Sequence, residues 1–404
     1  MMGTAGPPAP GRGAARVRLV WEFAVVEHVL VAPDKFKGSL TAAEVAAAVS
    51  SGLGVPAVQL PVADGGDGTV EAAVAGGFTR VTARVTGPTG EPVDASYARR
   101  GDTAVIELAE ASGLRRLPGD PEPLTATSHG TGELIADAVK QGATRVVLGL
   151  GGSACTDGGA GMVQALGARL LDAEGRELPP GGAALRDLDR IDMSGFLDLS
   201  GVEVVVASDV DNPLLGPHGA AAVYGPQKGA TPDQVALLES ALSRLAAVAT
   251  RIHGLVGAVE HDDVPRPMGV AGAPGAGAAG GVGFAALAFL RADIQPGIDY
   301  LLDLLGFNEQ VEGARLVITG EGSLDEQTLR GKAPAGVARA AARAGVPVVA
   351  VCGRRTLSDD DLRAAGFAAA YALTDLEPDP ARCMAAAGPL LQQLAARVAA
   401  AHLP

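Results

Sequence analysis

One local pattern recurs along the chain and limits what it can fold into. A short run rich in Val, Leu and Ile gives way to a loop of Gly and Asp, and an Ala-rich stretch with helical spacing follows. His28–Ala32 leads into Pro33–Gly38 and a helix from Ala42; Ala57–Val62 leads into Asp64–Gly68 and a helix through about Ala75. Thr144–Leu150 leads into Gly149–Gly161 and a helix through Leu170. Val202–Ser208, Arg315–Thr319 and Val346–Val351 end in Asp209–Pro213, Gly320–Asp325 and Cys352–Arg354. Strands that alternate with helices assemble into mostly parallel sheets, because a parallel neighbour is reached through a crossover. The expected fold class is therefore α/β. Ligands in such sheets bind beyond the carboxyl ends of the strands, so all these loops should share one edge.

Residues Phe78 to Leu108 depart from the pattern. Alternation in Thr79–Val85 and Pro92–Tyr97 around the turn Gly87–Gly90 predicts antiparallel strands. With 404 residues, two domains are the natural division. The expected arrangement is a discontinuous first domain, residues 28–86 and 290–404, with a second α/β domain, 87–289, inserted. The Gly- and Pro-rich region Val264–Gly283 marks the return, and residues 1–27 read as a disordered extension.

Composition narrows the function. Aromatic residues are only 3% of the chain, so Ala, Val and Leu must build the core. Glycine, at 56 residues, is roughly twice its usual share of about 7% and falls in bursts at strand ends. A formal net charge of −14 argues against a nucleic-acid or anionic-membrane surface. Phosphorylated ligands would then need local donors and cations. Cys155, Cys352 and Cys383 are too widely spaced for a disulfide framework or metal cluster, which fits a reducing, cytoplasmic setting. No apolar run reaches membrane-spanning length.

Within Gly149–Gly161, Gly151, Gly152 and Ser153 offer unobstructed backbone N–H groups before a helix, an arrangement that binds anions. Asp157 in the same loop is either a helix cap or a partner for a hydroxyl or metal. Asp64, Gly65, Gly66 and Asp67 form a carboxylate loop of the type that suits Mg²⁺, Asp67 having an N-cap as its alternative. Asp209 and Asp211, beside Asn212 and Pro213, could hold a metal or accept a proton, although an Asx turn would account for Asp211 alone. Lys35, Lys37, Lys228 and Lys332 lie at loop hubs in a Lys-poor chain, as phosphate contacts would. Glu321, between two glycines at a strand end, and Asp325 complete the candidates. Thr41 with Glu44, and Ser323 with Glu326, read as capping boxes.

Two apparent motifs fail on context. Gly275, Gly277 and Gly280 match a dinucleotide fingerprint but follow Pro265, Pro267 and Pro274 instead of a strand. Gly331–Lys332 ends like a phosphate-binding loop, but Ala333 replaces the required hydroxyl.

Eight segments in order resemble the bacterial glycerate kinase family of the glyoxylate and glucarate pathways: Ala32–Leu40, Ala63–Gly68, Gly130–Leu134, Gly149–Met162, Ser208–Leu214, Tyr224–Gly229, Gly275–Phe284 and Ile318–Asp325. The resemblance runs from about His28 to Cys352. His129 and Cys155 depart from the residues usual there, Tyr and Thr. It implies a two-domain α/β enzyme, the second domain inserted into a Rossmann-like first domain and the site in the cleft between them, using ATP and Mg²⁺ to phosphorylate D-glycerate, with the 2-phosphate favoured over the 3-phosphate. On this reading Asp64 and Asp209 or Asp211 bind Mg²⁺ or take the hydroxyl proton. Lys35, Lys37 and Lys228 meet the carboxylate or the transferring phosphoryl group, and the Gly149–Gly161 and Gly275–Gly283 loops, Gly277 included, cradle phosphates. Small-molecule substrates, no nucleic-acid or membrane partner, and a monomer or homodimer are expected.

Overall fold

The computed structural model describes residues 27–253, 269–329 and 331–403, together with Gly3. The extension expected over residues 1–27 lies almost wholly outside the described residues. Thirteen strands are present among the described residues: β1 (His28–Val31), β2 (Ala57–Gln59), β3 (Thr79–Thr86), β4 (Pro92–Arg100), β5 (Thr103–Glu107), β6 (Arg145–Gly149), β7 (Arg169–Leu171), β8 (Arg190–Asp192), β9 (Glu203–Ala207), β10 (Asp293–Gln295), β11 (Ala314–Leu324), β12 (Val348–Arg355) and β13 (Ala369–Ala372). Five form a wholly parallel sheet in the order β13-β12-β11-β1-β2. Six form a mixed sheet, β10-β9-β6-β5-β4-β3, whose antiparallel part is the β3–β4–β5 meander expected from the alternation. A small antiparallel pair, β7 and β8, stands apart.

The alternation of side chains along the strands sorts the apolar residues into three cores. Val29, Val31, Leu316, Ile318, Val349 and Val351 face the helices Ala42–Leu53 and Ala387–His402 on one side of the five-stranded sheet. Their neighbours Leu30, Val317, Val348 and Ala350 face the other way. There they share a core with Ala98, Val105, Val147 and Ala207 from the six-stranded sheet and with the helices Thr69–Ala75, Gly297–Leu305 and Ala333–Arg343. The remaining face of the six-stranded sheet, with Ile106, Val146, Leu148 and Val206, packs against the helices His129–Lys140, Ala160–Ala165 and Ala278–Phe289. The fold is thus a stack of alternating helical and sheet layers, and the middle helical layer belongs to both sheets. Small side chains make this possible, since Ala-rich helices approach sheets closely.

The expected boundaries at 86/87 and 289/290 cut through the six-stranded sheet, whose edge strands are β3 and β10. Taken by sheet pairing, the inserted unit spans 79–295. We propose that division in place of 87–289. The helix expected to run to Leu170 stops at Ala165, because Gly167 turns the chain with φ +101° and Leu170 enters β7. The Thr41–Glu44 capping box forms as expected. The Ser323–Glu326 box does not, because β11 continues through Leu324, and Asp325 accepts from Gln327 N at 2.9 Å instead.

Several glycines are placed by collision between backbones. A Cβ at Gly280, where φ is +69°, would strike the Cys155 carbonyl, whereas Gly345, with φ +73°, has open space around it. Gly345→Ala should cost about 1–2 kcal/mol, the penalty of left-handed backbone alone. Gly280→Ala adds overpacking and should cost about 3 kcal/mol or more. Urea denaturation of the two variants compares them, and equal losses would contradict the packing argument.

Candidate active site

The carboxyl ends of β1, β2, β11 and β12 and the loop after β6 open onto one cleft of about 640 Å³. Asp34, Lys35 and Lys37 reach it from the turn after β1, Asp64, Gly66 and Asp67 from the loop after β2, and Glu321 from within β11. Gly151 and Gly152 close it from the loop after β6, and Lys332 stands at the start of the helix Ala333–Arg343. Residues from both sheets therefore line a single cavity, as the shared strand-end position predicts.

Its floor is acidic. Asp34, 8% exposed, is pushed up to about 7 by burial, with the charges of Asp64 and Glu321 adding to the effect and Lys35 opposing it. The Asp34 carboxylate accepts from the Lys35 backbone N–H at 2.6 Å and pairs with Lys35 Nζ at 3.8 Å. Burial also raises Glu321, which accepts from the Thr328 hydroxyl and lies 3.7 Å from Lys332 Nζ. Asp64 accepts from Gly66 N at 3.0 Å. Asp209 lies outside the cleft's lining but within electrostatic reach of Asp64. Partial desolvation raises it to about 6, Asp64 and Asp299 reinforcing this, while the Gly297 N–H bond at 3.0 Å works against it.

Beside the acidic floor sits an ion cluster that the sequence did not announce. Arg115 bridges Asp67, Glu107 and Glu110. Glu107, 1% exposed at the end of β5, accepts from Gly68 N and Val70 N and so caps the helix Thr69–Ala75 from the other sheet. Asp67 therefore does not cap that helix; its carboxylate meets Arg115 and its carbonyl accepts from Lys35 Nζ. Asp34 was legible as part of the Pro33–Gly38 segment, and Glu107 as a carboxylate closing a fully buried strand. Nothing local marks Arg115.

Other candidates are not brought to the cleft. Asp157, fully buried, accepts from Ser128 N, Ser128 Oγ, Gly159 N and Gly161 N, and so braces its own loop. Lys228 is also buried, with its ammonium affinity lowered, and donates to Ser153 Oγ at 2.7 Å and the Cys155 carbonyl at 2.5 Å. Gly277 donates its N–H to the Asn212 carbonyl and packs on Pro213, and Asn212 holds His218 O and Tyr224 Oη. Gly65 is wedged against Ala207. Asp211 is exposed, and Asp325 caps its helix, both outside the cleft. Apart from the exposed Asp211, burial or bracing occupies the group that sequence reasoning offered to a ligand. The Gly275–Gly280 segment thus gives no support to dinucleotide binding.

No three His, Cys, Asp or Glu side chains among the described residues are grouped tightly enough to hold a metal unaided. Mg²⁺ commonly takes one or two carboxylates and completes its shell with phosphate and water. The hard oxygens of Asp64 and Asp209 suit that mode.

The raised affinity of Asp34 has a sign that can be tested. The folded state holds this proton to about pH 7, against 3.8 for an ordinary aspartate, so it binds more protons than the unfolded chain between those values. Stability must then fall as pH rises through that window. In buffer with chelator, the melting temperature should drop between pH 5 and 8, and Asp34→Asn should flatten the drop. An unchanged slope in the variant would remove Asp34 as its source.

The family model described as "Glycerate kinase family" matches residues 29–403. The glycerate kinase of Bacillus subtilis (strain 168) is 49% identical over 335 residues, covering 80% of this chain and 84% of its own. The glycerate 2-kinase of Escherichia coli (strain K12) is 47% identical over 345 residues, 82% of this chain and 86% of its own. The crystal structure of a candidate glycerate kinase 2 from Salmonella typhimurium LT2 superposes with a TM-score of 0.77 at 42% identity, covering 93% of this chain and 98% of that one. With the family model spanning nearly all of the chain and two such relatives beside it, the protein belongs to the glycerate kinase family.

Proposed function

We propose that the protein is a glycerate kinase that transfers a phosphoryl group from ATP to D-glycerate, forming 2-phosphoglycerate in preference to the 3-phosphate. The observation that carries this reading is the convergence, in one cleft, of Asp34, Asp64 and Glu321 with Lys35, Lys37, Lys332 and the Gly151–Gly152 backbone. Phosphoryl transfer asks mainly for positioning and charge neutralisation, and this set supplies both. The regiochemical preference rests on the name of the Escherichia coli relative, a glycerate 2-kinase.

Among the carboxylates, Asp64 at the cleft and Asp209 beside it are the pair to which metal and base roles are assigned. Asp64 would hold Mg²⁺, which when bound neutralises phosphate charge. Asp209, raised to about 6, is the better proton acceptor, since a base works best with an affinity near the operating pH. It is still ionised at neutral pH and so free to take the hydroxyl proton. Lys35 and Lys37 engage the substrate carboxylate or the transferring group. Lys228 is left out of this assignment because its ammonium is enclosed by Ser153 and Cys155. Substrates are small molecules, and no helix among the described residues is long and apolar enough to cross a membrane.

The test is incubation with ATP, Mg²⁺ and D-glycerate, coupled to enolase without phosphoglycerate mutase. Immediate signal shows the 2-phosphate, signal only after mutase addition shows the 3-phosphate, and absence of ADP sinks the kinase reading. Asp209→Asn should lower kcat by about 10²–10⁴-fold, the usual contribution of a general base, with little change in either KM. Near-normal turnover would remove Asp209 from the base role.

A further inference from the structure

The cleft has two chemically different ends, and their order follows from the sheet. Strand order β13-β12-β11-β1-β2 places the ends of β1 and β2, with Asp34 and Asp64, on the side that meets Gly151 and Gly152 of the other sheet. Over the end of β12 and the turn after β13, the charged floor gives way to an apolar wall. Its exposed surface is Pro380 and Met384 of the helix Pro380–Ala385, set over the buried Leu373 and Cys383, and Met384 Cε also sits beside Gly38 in the turn after β1. Met384 is 51% exposed and is one of three large apolar side chains so exposed among the described residues. It is the one that lines the cleft. An exposed methionine on a cavity wall is a flexible, polarisable surface that moulds to a flat ring.

We propose that this apolar end is the nucleobase subsite: the adenine ring of the nucleotide lies against Met384 and Pro380, and the phosphate chain runs along the ends of β12 and β11 toward Lys332 and Lys35. Glycerate then occupies the Asp64–Gly151 end. The inference rests on the proposed kinase reading and adds where each substrate sits. The two ligands themselves select this orientation. Glycerate is a three-carbon anion with no apolar face, so covering Met384 and Pro380 with it would desolvate charge without burying hydrocarbon. A purine offers two flat apolar faces and carries its charge at the far end of a long chain. Arg354, which reaches Ser323 at 3.2 Å midway along the cleft, and Lys332 supply cations where that chain must pass. The cavity, at about 640 Å³, falls within the usual range of roughly 300–1,000 Å³ for small-molecule sites.

The experiment compares wild type with Met384→Glu, a substitution at an exposed position, by steady-state kinetics against each substrate. The expected result is a rise of about tenfold or more in the KM for ATP, with kcat and the KM for D-glycerate within twofold of wild type. Adenosine added alone should inhibit wild type competitively against ATP and lose potency in the variant. A thermal melt confirms that the variant is folded. If it is not, Met384→Gln takes its place, with the same expectation at smaller amplitude. A rise confined to the glycerate KM would reverse the orientation, and unchanged constants for both substrates would place the base elsewhere. Either result overturns the proposal. Failure of the kinase reading is separately visible, because wild type would then release no ADP with D-glycerate.

Discussion

The site depends on a close approach of backbones that only glycine permits. The loop after β2 leaves the five-stranded sheet and lodges among the strand ends of the six-stranded one. Gly151 N donates to the Gly65 carbonyl at 3.3 Å. A Cβ at Gly65 would collide with the Ala207 carbonyl, one at Gly151 with Gly66, and one at Gly297 with the Asp64 carbonyl. The carboxylate of Asp64 is therefore delivered to the boundary between the sheets by main-chain packing on both sides. Side chains on those glycines would separate the strand ends and divide the cleft. The same requirement explains why a chain so rich in glycine still builds a dense core.

Capping across the sheets strengthens that arrangement. The helix Thr69–Ala75 starts at Gly68 without a side-chain cap of its own. Glu107, from the end of β5, accepts its free N–H groups, and Arg115 ties the same carboxylate to Asp67. A buried carboxylate without these partners would be costly, since an unpaired charge loses its hydration for nothing in return. Burial pushes Glu107 toward its neutral form, and the Arg115 guanidinium pulls it back. The two sheets are thus joined by charge as well as by apolar contact, next to the residues that line the cleft.

The sequence pattern carried the α/β class, the meander at β3–β5 and the convergence of Lys35, Asp64 and Glu321, because all three follow from local periodicity and strand-end position. It could not rank the glycine loops. Gly149–Gly161 stood out as an anion cradle, yet only its first residues face the cleft. Gly158 and Gly159 pack on Leu245 and Ala285, and Gly280 and Gly281 lie against Cys155, Thr156 and Gly158. Whether a loop glycine admits a phosphate or a neighbouring backbone is decided by elements far away in the chain. Asp157 and Lys228 show the same limit. A lone charged residue in a loop reads as available, but Ser128 and Ser153 surround these two with partners that no local signal discloses. The helix expected to reach Leu170 shows that one glycine with positive φ outweighs a continuing apolar period.

The acidity of the cleft has a consequence for how charge must be assembled there. Asp64 raises the cost of ionising both Asp34 and Glu321, Glu321 adds to that of Asp34, and Lys35 and Lys332 each offset part of it through a pair longer than a direct hydrogen bond. A polyphosphate entering alone would add negative charge to a floor that already holds too much. In the proposed reaction the nucleotide therefore has to arrive with a cation, or displace the lysines from their carboxylates to claim them for phosphate. Freed lysines would leave Asp34 and Glu321 less compensated still, which makes a divalent ion the economical partner. The net charge of −14 fits the same logic. With no long-range attraction for anions, selectivity rests on short-range cations at Lys35, Lys37, Lys332 and Arg354, each at the rim of one cleft.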